Sequence, residues 1–286
     1  MKNKTILVIG AGGFVGRSLV RQLQNLNVQI LSPSSNELNV TDPGSFEKFS
    51  GKKVDHVIHL AGKTFVPQSW KEPAEFLKVN VGGTANVAEF CRKNGISLTY
   101  ISAYVYGSEV KNPISESHTC SPNNPYAVSK RIGEEICEHY MNLFQLHCTI
   151  VRPFNIYGSG QPETFLIPEI IEQLRGGNQI IVNDLSPRRD YIHVEDLSRL
   201  LIKTVTTKHN GIINAGTGVS TSVEELISVI QEVNGSDLKV VSRNHERNNE
   251  ISNTVADITR AFEVYEWKPE ISLRNGIQLL LAEREV

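Results

Sequence analysis

The stretch "TILVIGAGGFVGRSLVRQLQN", residues 5–25, decides the fold. Its first part is an apolar, β-branched run, and its second part repeats apolar residues at helical spacing. Gly10, Gly13 and Gly16 lie where the predicted strand gives way to the predicted helix. Glycines at such a junction permit a tight turn and let backbone N–H groups approach a pyrophosphate, which the helix N-terminus stabilises. The stretch therefore predicts a strand–helix unit that binds a dinucleotide.

The alternation of strand and helix continues outward from this unit. The apolar runs predicted to be strands are residues 5–10, 28–31, 54–61, 98–102 and 146–152. Between them, helices are predicted over residues 73–94, ending at Gly95, and over residues 125–144, capped by Asn123 or Asn124. Strands and helices that alternate in this way form a parallel sheet covered by helices. We therefore predict an α/β protein with a Rossmann-type doubly wound parallel sheet.

Beyond residue 153 the alternation is less regular, which predicts a small C-terminal lobe interleaved with the sheet. The predicted dinucleotide-binding domain is residues 1–153, with a return segment at about residues 190–215. Residues 154–189 and 216–286 are assigned to the lobe that binds substrate.

The composition excludes several classes of protein. The formal net charge of the 286 residues is −2, without the basic excess of a nucleic-acid binder. No stretch approaches the roughly 20 apolar residues of a membrane span. The four cysteines form no C-x-x-C pair, so neither a metal site nor a disulfide framework is predicted. We expect a cytoplasmic protein without nucleic-acid or membrane partners.

The second predicted strand bears on the choice of cofactor. An acidic residue near its end usually accepts the ribose 2′-OH of NAD, but "ILSPSSNELNV" has no carboxylate before Glu37. Ser32, Ser34 and Ser35 offer hydroxyl donors where a 2′-phosphate would lie. We favour NADP(H), and NAD(H) stays possible because no arginine is evident at the strand end.

Tyr126 and Lys130 of "PYAVSK" are four residues apart, so both side chains project from one face of their predicted helix. An ammonium near a phenol favours the phenolate and lowers the phenol pKa from about 10, which suits a general acid/base. "ISAYVYG" places Ser102 at the carboxyl end of the fourth predicted strand, where open parallel sheets bind ligands.

These features resemble the extended short-chain dehydrogenase/reductase family, within it the branch of nucleotide-sugar epimerases, dehydratases and 4-keto-reductases. The segments that carry the resemblance span nearly the whole chain: "GAGGFVG", "HLAG", "VNVGGTANV", "ISAYVYG", "PYAVSK", "VRPFNIYG", "RRDYIHVEDL" and "EWKPEISLRNGI".

The resemblance implies a role for each matching residue. Ser102, Tyr126 and Lys130 would be the catalytic triad, with Lys130 also holding the nicotinamide ribose. The residues expected to bind the cofactor are Gly10, Gly13, Phe14, Val15, Gly16, Ser32, Ser34, Ser35, Ala61, Gly62, Asn80, Tyr126, Lys130 and Pro153. Those expected to bind a nucleotide-diphosphate sugar are Ser102, Tyr104, Asn155, Arg189 and Arg247. No metal ligand is predicted.

Departures from related patterns narrow the reaction. Sugar 4,6-dehydratases resemble "STDEVYG", whereas Ala103 and Tyr104 stand at the places of the Asp–Glu pair. Fucose-synthase-like epimerases use a cysteine two residues after the serine, a place that Tyr104 takes, and a histidine after "NIYG", where this chain has "SGQP". The plain triad is left, which can move a hydride to or from a sugar C4.

The sequence leaves two enzymatic functions and one non-enzymatic function open. NADPH could reduce a 4-keto-6-deoxy sugar nucleotide, or a held NAD could epimerise C4. We favour the reductase, because "SSNELNVTD" resembles the second-strand region of 4-keto-sugar reductases. A regulator that only senses the cofactor is disfavoured by the retained triad. The resemblance also implies a homodimer in which residues 73–94 and 125–144 pair with a second subunit.

Three side chains are assigned to the core. His56 and His59 alternate with apolar residues on a predicted strand, without nearby ligands at metal spacing, so we expect buried structural histidines. Trp267 of "EWKPE" is expected to pack in the core.

Overall fold

A computed structural model describes residues 1, 3–108, 111–245 and 251–283. The strands are β1 (Thr5–Ile9), β2 (Gln29–Leu31), β3 (His56–His59), β4 (Ser97–Ile101), β5 (Cys148–Pro153), β6 (Asn155–Tyr157), β7 (Gln179–Val182), β8 (Arg188–Arg189), β9 (Tyr191–His193), β10 (Gly211–Ala215), β11 (Thr221–Ser222) and β12 (Lys239–Ser242). The α-helices are α1 (Phe14–Gln24), α2 (Val66–Lys71), α3 (Pro73–Phe76), α4 (Gly83–Asn94), α5 (Pro125–Phe144), α6 (Leu166–Gly176), α7 (Val194–Thr206), α8 (Val223–Asn234), α9 (Thr259–Tyr265) and α10 (Leu273–Glu283).

The centre of the molecule is a six-stranded parallel sheet in the order β10-β5-β4-β3-β1-β2. The chain runs from β1 outward to β2, then returns to the other side of β1 to form β3. Such a reversal of strand order opens a crevice at the carboxyl ends of the strands, where ligands bind in sheets of this kind. The predicted Rossmann-type α/β fold is confirmed.

Apolar clusters cover both faces of this sheet. Leu7 and Ile9 of β1 pack in the cluster beneath α4 and α5, whereas Ile6 and Val8 pack in the cluster beneath α1 and α7. A third cluster joins α6, α8 and α10 in the C-terminal part of the chain. Trp267 is buried and its indole N–H donates to the Asp196 carbonyl, as expected for a core residue. The division into a dinucleotide-binding domain and a lobe stays a prediction.

The helix boundaries follow local capping chemistry. Asn124 caps α5, since its side-chain oxygen accepts the Ala127 N–H at 2.9 Å. Gly95 ends α4 in the left-handed conformation, with φ of 65°. The predicted helix over residues 73–94 contains a π-helical segment, Leu77–Gly82, between α3 and α4. Helix α2 was not predicted.

The third strand is shorter than predicted. The Leu60 and Ala61 N–H groups both donate to the Ile9 carbonyl, which turns the chain out of the sheet immediately after His59. This turn sets the backbone of residues 60–62 against the end of β1.

Helix α5 is fixed to β5 by a buried ion pair. Arg152 donates through Nε and Nη2 to the two oxygens of Glu134, at 2.8 and 2.6 Å, and Arg131 adds a third bond at 2.9 Å. Neither Glu134 nor Arg152 is exposed by more than 1%. Removing one member of such a pair costs about 3–5 kcal/mol, because a buried charge loses its partner. None of the helices in the described ranges is long and apolar enough to cross a bilayer.

Candidate active site

The glycine loop between β1 and α1 leaves no room for side chains at two positions. Gly10 has φ of 92°, and a Cβ there would be 2.5 Å from the Ala61 nitrogen. A Cβ on Gly16 would be 2.2 Å from the Gly10 carbonyl oxygen. The start of α1 therefore lies directly against the end of β1. Its N-terminal backbone faces the crevice, as phosphate binding requires.

The other residues expected to meet a cofactor follow the strand ends along the same edge of the sheet. Ser32 follows β2, Ala61 and Gly62 follow β3, and Pro153 ends β5. A Cβ on Gly62 would be 2.9 Å from Asn80 Oδ1, so this backbone is also closely packed. The bare backbone along this edge fits an extended dinucleotide.

Asn80 links the edge of the sheet to α5. Its Oδ1 accepts the Lys63 N–H at 2.8 Å, and its Nδ2 donates to the Lys63 carbonyl and to Ser129 Oγ. Ser129 in turn donates to the Tyr126 carbonyl at 2.7 Å. Asn80 therefore holds the chain after β3 against the first turn of α5.

A cavity of about 320 Å³ lies beside the glycine loop and the end of β2. The residues that line it are Ala11, Gly12, Arg17, Val20, Arg21, Gln24 and Ser32. Arg17 donates to the carbonyls of Gly12 and Gly160, at 2.7 and 2.9 Å, whereas Arg21 pairs with Glu195. No carboxylate lines this cavity or pairs with Arg17 in the described ranges.

The sequence did not predict a role for Arg17 and Arg21, because the basic partner of a 2′-phosphate is expected at the end of β2. Their spacing of four residues along α1 was the available signal, because residues so spaced share a helix face. Ser34 differs from expectation: its N–H and hydroxyl both donate to Glu37 Oε2, at 2.8 and 2.9 Å. That hydroxyl is engaged within its own turn.

Lys130 lies inside the protein, 3% exposed, in the second turn of α5. Its Nζ is 4.5 Å from the centroid of the Tyr100 ring, and a Cβ on Gly62 would be 3.9 Å from it. Burial lowers the pKa of Lys130 to about 8, and the nearby Glu134 carboxylate opposes that shift. The ammonium therefore lies beside the backbone that follows β3.

Tyr126 is the second residue of α5 and is half-buried, with its ring edge-on to Phe76 at 6.4 Å. Burial raises the pKa of Tyr126. The sequence suggested the opposite direction, through a neighbouring Lys130 charge. Desolvation of the phenolate sets this direction.

Ser102 follows β4, and its N–H donates to the Val151 carbonyl at 2.7 Å. It is 3% exposed, and its Oγ has no hydrogen-bond partner among the described residues. A buried hydroxyl without a partner is costly, so the group suits a ligand oxygen.

The residues expected to bind substrate lie where β4, β6 and β8 end or begin. Tyr104 donates to the Gly107 carbonyl at 2.8 Å and packs edge-on against Phe154. Burial raises the pKa of Tyr104 to about 12, which the charge of Arg189 opposes. Asn155 donates to the Asp190 carbonyl. Arg247 lies outside the described residues.

The histidines of β3 are structural. The Nε2 atoms of His56 and His59 lie 2.7 and 3.2 Å from the hydroxyls of Thr99 and Thr84. Burial lowers the pKa of each to about 3, which keeps both rings neutral. The described ranges contain no cluster of three or more metal-ligating side chains.

Residues 6–216 match the sequence profile of the "NAD dependent epimerase/dehydratase family". GDP-6-deoxy-D-mannose reductase of Pseudomonas aeruginosa is 29% identical over 98% of this chain and 97% of its own length. A putative UDP-glucose 4-epimerase of Methanocaldococcus jannaschii is 33% identical over 96% of both chains.

Solved structures are similar over the whole fold. RMD from Pseudomonas aeruginosa, complexed with NADPH, matches with a TM-score of 0.90 and 27% identity over 99% of this chain and 100% of that one. UDP-glucose 4-epimerase of Thermotoga maritima, with UDP-glucose, has a TM-score of 0.92 and 27% identity over 98% of both chains. Both a reductase and an epimerase are thus similar to this chain.

Replacing Gly16 by alanine should impair dinucleotide binding, because the new Cβ must push α1 away from the Gly10 carbonyl. We expect a loss of at least about tenfold in cofactor affinity together with about 1–3 kcal/mol of stability. Gly176→Ala at the end of α6 is the matched control, since no atom lies within 4 Å of a Cβ there and Gly176 does not line the cavity beside the loop. Fluorescence titration and urea unfolding give both quantities. Equal behaviour of the two variants would contradict this view of the loop.

Proposed function

The chain belongs to the NAD dependent epimerase/dehydratase family, and from that premise we propose that it reduces a nucleotide-linked 4-keto-6-deoxy sugar at C4 with NADPH. The family includes nucleotide-sugar reductases and epimerases that bind NAD(P), and this chain is an enzyme of that family. What we propose is the direction of the reaction, the cofactor, the substrate and the residues that take part in the reaction.

The Arg17 cavity carries the choice of reduction, since it favours NADPH, and Tyr126 supplies the proton that a reduction needs. Because burial raises its pKa, the phenol holds its proton at neutral pH. Reduction of a ketone needs a proton donor at the carbonyl oxygen, whereas oxidation of a sugar hydroxyl needs a base there. The phenol is therefore ready for reduction without a preceding deprotonation.

A bound NADPH would supply the hydride for the sugar C4. Ser102 donates a hydrogen bond to the C4 oxygen through its otherwise unpartnered hydroxyl. Tyr126 gives its phenolic proton to the same oxygen, which leaves a phenolate. Lys130, at the next turn of α5, stabilises that phenolate and binds the ribose hydroxyls.

The remaining predicted residues complete the proposed site. Residues of the glycine loop and the strand ends would hold the dinucleotide. Tyr104, Asn155 and Arg189 would face the sugar nucleotide, with Arg247 as a further candidate for its diphosphate. An arginine fork suits a diphosphate because it donates two parallel hydrogen bonds. We assign this substrate to residues 154–189 and 216–286.

NADPH is favoured over NADH by the cavity at the end of β2. Arg17 has no carboxylate partner in the described ranges, and two backbone carbonyls hold its guanidinium in place. A fixed and uncompensated cation beside the adenosine ribose favours a 2′-phosphate. Ser32 supplies a hydroxyl in the same cavity.

A C4 epimerase that keeps NAD bound is the alternative. The observation that favours it is the 33% identity to a putative UDP-glucose 4-epimerase. The same triad could oxidise C4 and return the hydride to the opposite face. The two functions differ in whether cofactor is consumed.

We also infer a homodimer formed by the segments around α4 and α5. Exposed apolar side chains occur along these segments, namely Leu77, Val128, Leu143 and Phe144, with Trp70 on the preceding α2. Protein–protein interfaces commonly bury exposed apolar surface.

The reductase should oxidise one NADPH for each sugar nucleotide converted. Purified protein is incubated with GDP- and dTDP-linked 4-keto-6-deoxyhexoses, and both products are counted. Tyr126→Phe should lower kcat by at least about 100-fold, because the proton donor is lost, with NADPH affinity unchanged. In a parallel incubation with UDP-glucose, which has a C4 hydroxyl, formation of the C4 epimer without net use of NADPH would instead support the epimerase.

Arg17→Ala should weaken NADPH binding by roughly 10–100-fold, because a charged hydrogen bond to the 2′-phosphate is lost. NADH affinity should change by less than about threefold, and Arg17→Lys should retain part of the preference. Arg92→Ala is the control, since Arg92 lies on α4 and pairs with Glu89 of the same helix. Equal losses of affinity for NADPH and for NADH would contradict the assignment of the 2′-phosphate to this cavity.

Light scattering at micromolar concentration should give the mass of a dimer. Leu143→Lys combined with Phe144→Lys should shift the protein toward monomer, because two charges would enter an apolar interface. Phe262→Lys alters a comparably exposed residue on α9 and should leave the mass unchanged. A wild-type monomer would refute the inferred dimer.

A further inference from the structure

We propose that Tyr100 is a positioning residue for Lys130: its buried ring holds the lysine ammonium at the end of the crevice and stabilises its charge. This inference rests on the proposed function, in which Lys130 must be charged to stabilise the Tyr126 phenolate. Tyr100 lies in β4, two residues before Ser102, and is fully buried. It acts through Lys130 and not on substrate.

Two contacts join Tyr100 to the catalytic turn of α5. The Lys130 Nζ lies 4.5 Å from the centroid of the Tyr100 ring, within the range of a cation–π interaction. The Tyr100 hydroxyl donates to the Lys130 backbone carbonyl at 3.4 Å. One side chain of the sheet therefore fixes both the backbone and the side-chain end of Lys130.

Gly133 makes this arrangement possible. A Cβ at that position would be 2.3 Å from the Tyr100 hydroxyl oxygen and 2.9 Å from Cζ. Gly133 lies inside α5, where glycine costs roughly 1 kcal/mol relative to alanine. The missing side chain at Gly133 leaves a notch in α5 that admits the Tyr100 hydroxyl, and this explains why a glycine lies inside the helix.

The charges around Lys130 show why the ring matters. The titratable groups that face it are His59 from β3, Tyr100 from β4, and Glu134 and Cys137 from α5 itself. Burial lowers the pKa of His59 and raises that of Tyr100, so these two groups are neutral near pH 7. Cys137 also stays protonated, as its pKa is raised.

Glu134 is the one carboxylate in this set, and its two oxygens are already bonded to Arg152 and Arg131. The Lys130 ammonium therefore has no ion pair of its own in the described ranges. The face of the Tyr100 ring lies 4.5 Å from the buried cation and presents negative potential to it. In water-excluded surroundings such a contact is stronger than at a surface.

The Tyr100 ring stabilises the charged form of Lys130, so a weaker cation–π interaction lowers the pKa of Lys130. The phenolate would then lose its cation at a lower pH. The alkaline limb of the kcat/KM profile should move toward neutrality by the same amount.

The test is an NMR titration of Lys130 in protein labelled with ¹³C at lysine Cε, with the resonance assigned by Lys130→Met. Tyr100 is replaced by phenylalanine, by mono- and difluorinated phenylalanines, and by leucine. Phenylalanine should retain the wild-type pKa. The fluorinated rings should lower the pKa stepwise, and leucine by about 0.5–1 unit. Fluorination withdraws charge from the ring face while nearly preserving its shape, so a packing role alone would not produce the series.

A second pair of variants tests the notch. Gly133→Ala should lower kcat/KM and disturb the Lys130 titration, and the additional Tyr100→Phe change should restore part of both by removing the hydroxyl. An unchanged Lys130 pKa across the fluorinated series would overturn the role of Tyr100. The titration needs no substrate. Absence of NADPH-dependent turnover would therefore count against the proposed function, and an invariant pKa against Tyr100 alone.

Discussion

The packing of α5 against the sheet is the constraint on which the candidate site depends. The buried Glu134–Arg152 pair ties the middle of the helix to β5, and the notch at Gly133 lets the helix approach β4. Because Tyr126 and Lys130 occupy the preceding turns, that anchoring decides where both side chains meet the crevice. A cost of about 3–5 kcal/mol for breaking the ion pair means that the position of the helix is strongly favoured.

The same burial that fixes the site also tunes its proton chemistry. Desolvation raises the pKa of the Tyr126 phenol and lowers that of the Lys130 ammonium to about 8. The phenol therefore keeps a proton to give, and the lysine keeps its charge at neutral pH. In a solvent-exposed pair with the same spacing both pKa values would stay near 10, so burial brings the titration of the lysine closer to neutral pH.

Much of the fold could be predicted because periodicity and capping are local. The strand of residues 5–9 and the caps Asn124 and Gly95 depend on near neighbours, and the sequence displays them directly. The turn after His59 depends on a carbonyl from β1, and the engagement of Ser34 by Glu37 depends on loop conformation. Neither has a signal in the sequence pattern.

Ser102, Tyr126 and Lys130 could be placed on their elements from motif spacing, but their electrostatics could not. Spacing put Lys130 next to Tyr126, whereas packing turns its ammonium toward Tyr100, a residue with no sequence signature. The Arg17–Arg21 pair was likewise hidden, because its meaning depends on the cavity that β2 and the glycine loop enclose. Long-range packing decides these features.

The most direct test of the central claim, that NADPH is used and released, is to denature the purified protein, identify any nicotinamide that it carried, and titrate the native protein with NADPH and NADH. We expect no stoichiometric NAD in the purified protein, and we expect both nucleotides to bind reversibly with a preference for NADPH. One tightly held NAD per chain would contradict it and would identify the protein as an epimerase that returns its hydride to the sugar.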